Sequence, residues 1–310
     1  MKKIFLISLI IILSLPLLAQ TYGDAKKLHY YGEYKKSLKV LDTILEKNSD
    51  NTSANILYGL NLIKQYNYDE AEKYLKKGVK LAANKHDSYN LSWAYNNLGV
   101  IHKNKKNYKK ALNYYKKALI TDEAFGFKSN IAREYNNMGN IYYNLMKYGK
   151  ARMFYRKSLW INQELNNIEG IAIAYNNLAS FYYYEGNYDK AINYLNYASK
   201  YDQKLPYKGN LAEDYKNLGV IHETMGNNQK AKYYYNLSVE INKKIGVQRK
   251  LLDDYDNLSL FYEKNGDYEK AIEYRRKVIA IDKNLNLSRI YQDQSRLKKL
   301  EEKINLTNPK

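Results

Sequence analysis

The sequence predicts an all-α solenoid of antiparallel helix pairs, and three observations predict it. A short pattern returns at a fixed interval, the apolar residues within each interval follow helical spacing, and only three prolines stand in 310 residues. Tyr95-Asn96-Asn97-Leu98-Gly99 recurs as Tyr135-Asn136-Asn137-Met138-Gly139 and Tyr175-Asn176-Asn177-Leu178-Ala179. It returns again as Tyr215-Lys216-Asn217-Leu218-Gly219 and Tyr255-Asp256-Asn257-Leu258-Ser259, and the step from Tyr95 to Tyr135 never varies. A second anchor keeps pace at Ala111, Ala151, Ala191, Ala231 and Ala271. Self-similarity at such a period marks a repeat array, and scarce proline leaves its helices unbroken.

Each element follows from this register. Trp93, Ala94, Leu98, Ile101 and His102 fall on one helical face, and Ala111, Leu112, Tyr115, Ala118 and Leu119 on another. Both follow the i, i+3, i+4, i+7 rule of a half-buried helix. The segments Gly186-Asn187-Tyr188, Gly226-Asn227-Asn228 and Gly266-Asp267-Tyr268 read as the turn between them. Gly ends the first helix in a left-handed conformation, and Asn or Asp caps the next. Gly99, Gly139, Ala179, Gly219 and Ser259 are small, so one helix can approach its partner closely. Two earlier copies, centred on Ser37 and Ala71, lie closer together than Ala71 and Ala111 do. Seven copies then span about residues 21–285. Residues 286–310 form a C-terminal capping helix and tail, with Lys298, Lys299, Glu301, Glu302 and Lys303 giving the polar outer face that closes an array.

Residues 1–20 read as a signal peptide. Lys2 and Lys3 precede an apolar run from Ile4 to Leu18, and Leu17-Leu18-Ala19 resembles a cleavage site. The run is shorter than the roughly 20 residues that span a bilayer. The expectation is an exported protein, periplasmic or secreted, with no integral membrane segment after signal removal; an uncleaved anchor is the competing reading. Formal net charge is +19, which suits nucleic acid, anionic membrane or acidic polysaccharide, or simply a solvated lysine-rich surface. Export counts against nucleic acid. The absence of cysteine excludes disulfides, thiolate metal sites and a cysteine nucleophile. His29, His86, His102 and His222 are not paired at metal-ligand spacing. His102 and His222 replace an aromatic at one equivalent core position and read as packing residues. With no phosphate loop and no catalytic triad, the expectation is a non-enzyme without cofactors.

Tyr95, Leu98, Gly99, Ala111, Tyr115 and Ala118 match, in order, the pattern of tetratricopeptide repeats. The chain therefore resembles that family, in a 40-residue variant similar to the repeats of kinesin light chains and Pins-type adaptors, here in an exported bacterial protein. Copy one departs from the pattern, having Ala25 at the small position but no aromatic or Leu before it, and its first helix is expected to pack poorly. Copy six has Asn228 where others have Tyr. The resemblance implies a right-handed superhelix in which the first (A) helix of each pair lines a concave groove and the second (B) helix covers the outside.

On that basis the side chains can be sorted. Asn97, Asn137, Asn177, Asn217 and Asn257 share one A-helix position, although Asn is a poor helix former. The resemblance implies an amide ladder reading a peptide backbone; equally, each Asn could bond the neighbouring repeat and fix its angle. Trp93, Arg133, Asn136, Asn140, Tyr143, Asn176, Tyr183 and Tyr184 add an aromatic and amide-rich stretch. Glu213, Glu223, Asp253, Asp256 and Glu263 add an acidic end, while cations such as Lys117, Lys157 and Lys277 belong to B helices. A carboxylate clamp is missing, because Lys216 is followed by Val220 where the clamp needs Asn. The expected partner is a protein or extended peptide. The alternatives are an anionic envelope glycan or lipid on the basic B-helix face, or service as an accessory sensor for a signalling enzyme on another chain.

Overall fold

The computed structural model describes residues 21–285 and 289–307, and among them every regular element is an α-helix. The expected signal segment, 1–20, lies outside the described residues. The chain divides into two compact units, up to Glu134 and from Tyr135 onward. The first holds α1 (Tyr22–Tyr30), α2 (Tyr34–Lys47), α3 (Thr52–Lys64), α4 (Tyr68–Asn84), α5 (Ser88–Asn104), α6 (Tyr108–Phe125) and the start of α7 (Lys128–Asn144). The second holds the rest of α7, α8 (Tyr148–Glu164), α9 (Ile168–Tyr184), α10 (Tyr188–Asp202), α11 (Gly209–Thr224), α12 (Asn228–Ile245), α13 (Gln248–Lys264), α14 (Tyr268–Leu285) and α15 (Ile290–Thr307). Within each unit consecutive helices pack on one another, odd-numbered A helices alternating with even-numbered B helices. This is the paired-helix architecture that the register predicts.

Helix ends follow the turn chemistry. Gly186, Gly226 and Gly266 have φ of 73°, 77° and 76°. Asn187 and Asp267 then cap the next helix, their side chains accepting from Lys190 N and Lys270 N. Asn227 makes no such cap bond. Lys106 and Met146 occupy the same left-handed turn position at φ 58° and 57°, a conformation that costs a residue with a Cβ roughly 1–2 kcal/mol.

The core contact within each pair joins a small A-helix residue to a large residue at a matching register position on the B helix. A Cβ on Gly99 would come within 2.5 Å of the Tyr115 ring, and on Gly139 or Gly219 within 2.6 Å of Tyr155 or Tyr235. Where the large partner is Leu195 the small residue is Ala179, and where it is Arg275 the small residue is Ser259. A second contact recurs at its own register as stacked rings: Tyr142 on Phe154, Tyr182 on Tyr194, and Tyr262 on Tyr274. His102 stacks on Tyr114 and His222 on Tyr234 with interplanar angles of 3° and 2°. Burial holds both imidazoles below their ordinary pKa. The two histidines are therefore ring-stacking core residues.

The ends differ in quality. α1 is only nine residues long and buries Ala25 alone, although a Thr21–Asp24 capping box starts it and Ser37 Oγ donates to the Ala25 carbonyl at 2.7 Å. Tyr30 and Tyr31 beside it are exposed. α15 buries Leu300 completely and sets Leu297 and Ile304 against the core of the last pair.

The size matching of these pairs can be measured. Gly139→Ala is expected to lower stability by about 1–3 kcal/mol through overpacking. Adding Tyr155→Leu should recover part of that loss, because Ala179 and Leu195 already make the resulting pair. Urea unfolding of the wild type, both single variants and the double variant checks this, and strictly additive losses would contradict it.

Candidate functional site

The A-helix asparagines have diverse surroundings. Asn97 is nearly buried, and its Nδ2 donates to the Trp93 carbonyl of its own helix at 2.7 Å. Asn177 Nδ2 instead donates to Asn136 Oδ1 on the preceding A helix at 2.6 Å. Asn137, Asn217 and Asn257 are half-buried. For Asn177, then, the amide tie between neighbouring repeats is present in the fold itself. Trp93 is half-buried against the core, Asn140 Oδ1 accepts from Tyr155 Oη at 2.9 Å, and Arg133 Nε lies 3.4 Å from Glu134 Oε1.

The acidic set carries less free charge than its residue count suggests. Glu213 pairs with Lys216, Glu223 with Lys264 at 3.1 Å, and Glu263 with Arg296 and Lys303 at 2.7 and 3.0 Å. Asp256 lies 2.6 Å from Arg275 Nη1. Asp253 is exposed. The B-helix lysines are likewise engaged with rings: Lys117 lies over Tyr95, Lys157 over Tyr135 and Lys277 over Tyr255, at 5.6, 5.1 and 5.6 Å. Such contacts are worth about 0.5–1 kcal/mol at exposed sites.

Two hollows follow the seam between α9 and α11. One, of about 180 Å³, is lined by Tyr143, Ser180, Tyr183, Tyr184, Asn217 and Val220. Tyr184 is 60% exposed and meets Tyr143 edge to face at 5.3 Å, so the rings form an open aromatic wall rather than core. The other, of about 140 Å³, lies toward the N-terminal ends of the same two helices and is lined by Asn176, Asn177, Asp202, Glu213, Asp214 and the ammonium-bearing Lys250. Asn217 and Tyr184 line the first and Asn177 and Glu213 the second, so the structure brings these four expected site residues to one seam.

Buried carboxylates at the repeat junctions were not anticipated from the sequence. Glu134 is fully buried and accepts from Asn96 Nδ2 at 2.6 Å, and Asp214 accepts from Asn176 Nδ2 at 2.6 Å. Burial pushes the Glu134 carboxyl up to about 8, and burial raises Asp214 as well, which shares a hydrogen bond with the Asp202 carboxyl. Asp254, held by Ser238 and Asn242, is pushed up to about 6, also by burial. The available signal was the register position that reads Ala94, Glu134, Ala174, Asp214 and Asp254, where acids share a position with core alanines. Among the described residues no group of side chains could hold a metal ion, and no helix is long and apolar enough to cross a membrane.

The Asn177 tie has a stability consequence. Asn177→Ala is expected to lower stability by about 0.5–1.5 kcal/mol, the net value of one hydrogen bond. Thermal unfolding checks this, and an unchanged midpoint would leave the bond without structural weight.

A tetratricopeptide repeat model matches residues 50–123, 130–196 and 170–244, and a second model of the same description matches 255–285. No curated protein matches the chain. Among solved structures, RapI in its apo form is similar at 14% identity and a TM-score of 0.66, over 86% of this chain and 97% of that one. The apo quorum sensor NprR from B. thuringiensis is similar at 15% identity and 0.60, over 90% of this chain and 86% of that one. BtubC from P. vanneervenii is similar at 21% identity and 0.57, over 70% and 91%. These likenesses concern the fold. With its repeats matched over more than half of its length, the chain belongs to the tetratricopeptide repeat family.

Proposed function

We propose that the chain is a non-enzymatic scaffold that holds a partner protein or extended peptide along the A-helix face of residues 135–307. The observation that carries this reading is the aromatic hollow between α9 and α11. Its volume of about 180 Å³ suits one large side chain, and Asn217 beside it offers a donor and an acceptor to a passing backbone. An exposed tyrosine wall with amide groups at its edge is the composition that protein-binding surfaces favour. The export pattern of Met1 to Ala19 supports a periplasmic or secreted location in the bacterial envelope, so the partner would be exported too. NprR is a quorum sensor by its title, but at 15% identity that likeness brings the fold to this chain and no signal.

The test is titration against the partner captured from cell envelopes with the mature chain. Tyr184→Ala and Asn217→Ala, each first shown to be folded, are expected to weaken binding about three- to tenfold apiece, as loss of one edge contact or hydrogen bond would. Binding that both variants leave intact and that falls steeply with salt would move the site to the lysine-bearing B-helix face and to an anionic partner.

A further inference from the structure

We infer that the aromatic hollow between α9 and α11 receives a phenylalanine side chain of the bound segment. This rests on the A-helix face of residues 135–307 being the binding face, and it names the side chain that face selects. The hollow has a cause in the repeat register. In the second unit the large B-helix position reads Tyr155, Leu195, Tyr235 and Arg275. Three of these four are long enough to fill the seam between successive A helices. Tyr155 Oη donates to Asn140 Oδ1 of α7 at 2.9 Å, and its ring packs with Leu178 of α9. Tyr235 Oη donates to Glu223 Oε2 of α11 at 2.8 Å, and its ring meets Phe261 of α13 edge to face at 5.8 Å. Arg275 Nη1 reaches both Asp256 of α13 and Asp293 of α15, at 2.6 and 2.7 Å.

Leu195 is the short member of the series. Across its seam, the register counterpart of Phe261 is Ile221, which is smaller as well. The counterparts of the hydroxyl acceptors Asn140 and Glu223 are Ser180 and Tyr183, and leucine has no hydroxyl to give them. Leu195, Ile221, Ser180 and Tyr183 all line the hollow. The opening therefore lies where the chain's own side chain fills the other three seams of this unit. The first unit also has a leucine at this position, but Leu75 stands over Gly59, where a Cβ would come within 2.7 Å of Leu75 Cγ. That leucine settles against bare backbone, whereas the methyl of Ala179 stands beneath Leu195.

The lining selects the guest. Ala179, Leu195 and Ile221 are buried and give the hollow a floor of methyl groups, while Tyr143, Tyr183 and Tyr184 wall it. Tyr183 Oη and Thr224 Oγ1 hydrogen-bond across the seam at 3.2 Å, which fixes that wall. Ser180 Oγ donates to the Asn176 carbonyl at 3.2 Å, so its proton is held by its own helix. An apolar cavity of about 150 Å³ is enough for a benzene ring, and this hollow has about 180 Å³. Three tyrosine rings favour an aromatic guest, because aromatic pairs gain more than the area they bury. A side chain entering past the exposed Tyr184 sets its tip on the methyl floor. A tyrosine hydroxyl would be buried there without a partner, and phenylalanine has no polar group to leave unsatisfied.

The probes are acetyl-Ala-Ala-Phe-Ala-Ala-amide and the same peptide with tyrosine or leucine at its centre. Each is titrated into the full chain, and methyl NMR is read at Ala179, Leu195, Val220 and Ile221, which all line the hollow. The phenylalanine peptide should give saturable ring-current shifts at these methyl groups. The tyrosine peptide should bind about tenfold more weakly, as a buried hydroxyl without a partner would, and the leucine peptide about three- to tenfold more weakly through loss of the ring contacts. A variant carrying both Ala179→Gly and Leu195→Tyr supplies the ring from within, as Gly139 and Tyr155 do. It should keep its helical circular dichroism and no longer bind the phenylalanine peptide. No saturable shift with that peptide, equal or tighter binding of the tyrosine peptide, or binding that survives in the folded double variant would overturn the proposal. The wild-type comparison of phenylalanine with tyrosine decides even if the variant fails to fold. Should it fail while Tyr184→Ala still weakens the captured partner, the phenylalanine site is wrong and the A-helix face stands.

Discussion

The distance between the two helices of a pair governs the rest of this structure. Three times a glycine on an A helix lies under a tyrosine ring of its B helix, too close for even a methyl group. Interiors this dense transmit size changes, so the tyrosines at this position sit over glycine each time. Leucine sits over alanine or, at Gly59, over glycine, and arginine over serine. Once that contact is set, the stacked rings beside it fall into place, and the seam between α9 and α11 is left to tyrosine, amide and acidic side chains.

This hierarchy explains which features could be read in advance. The period, the small positions and the glycine turns are local and repeated, so the paired helices were legible from Gly99, Gly139 and Gly186 alone. His102 and His222 were legible as packing residues because they share a register position with Tyr142, Tyr182 and Tyr262. The first pair was expected to pack poorly, yet Tyr22 and Leu28 of α1 pack on the cluster of Ala25, Val40 and Leu41. The position of Met146 in the left-handed region was not legible, because nothing in its identity marks it, and only its place in the turn requires that backbone.

The seam was less legible. Placing Asn177 and Tyr184 on an A-helix face required only the period. Deciding what they touch required distances between elements that the period does not contain. Asn177 bonds Asn136 on the preceding A helix, whereas Asn97 turns back onto its own helix. The acids misled for a similar reason: Glu263 and Asp256 look like free charge in the sequence, yet α15 and α14 bring arginines onto them. Asp202 and Asp214 were hidden because each resembles an ordinary surface acid until both prove buried together.

A seam that mixes an aromatic hollow with amide groups suits an extended segment better than a flat surface, because each feature takes one side chain. The measurement that tests this most directly is amide hydrogen exchange of the chain, free and bound to its captured partner. The account predicts slowed exchange in residues 168–184 and 209–224, with α8, α10 and α12 unchanged. Slowing confined to those three B helices, with α9 and α11 unaffected, would contradict it.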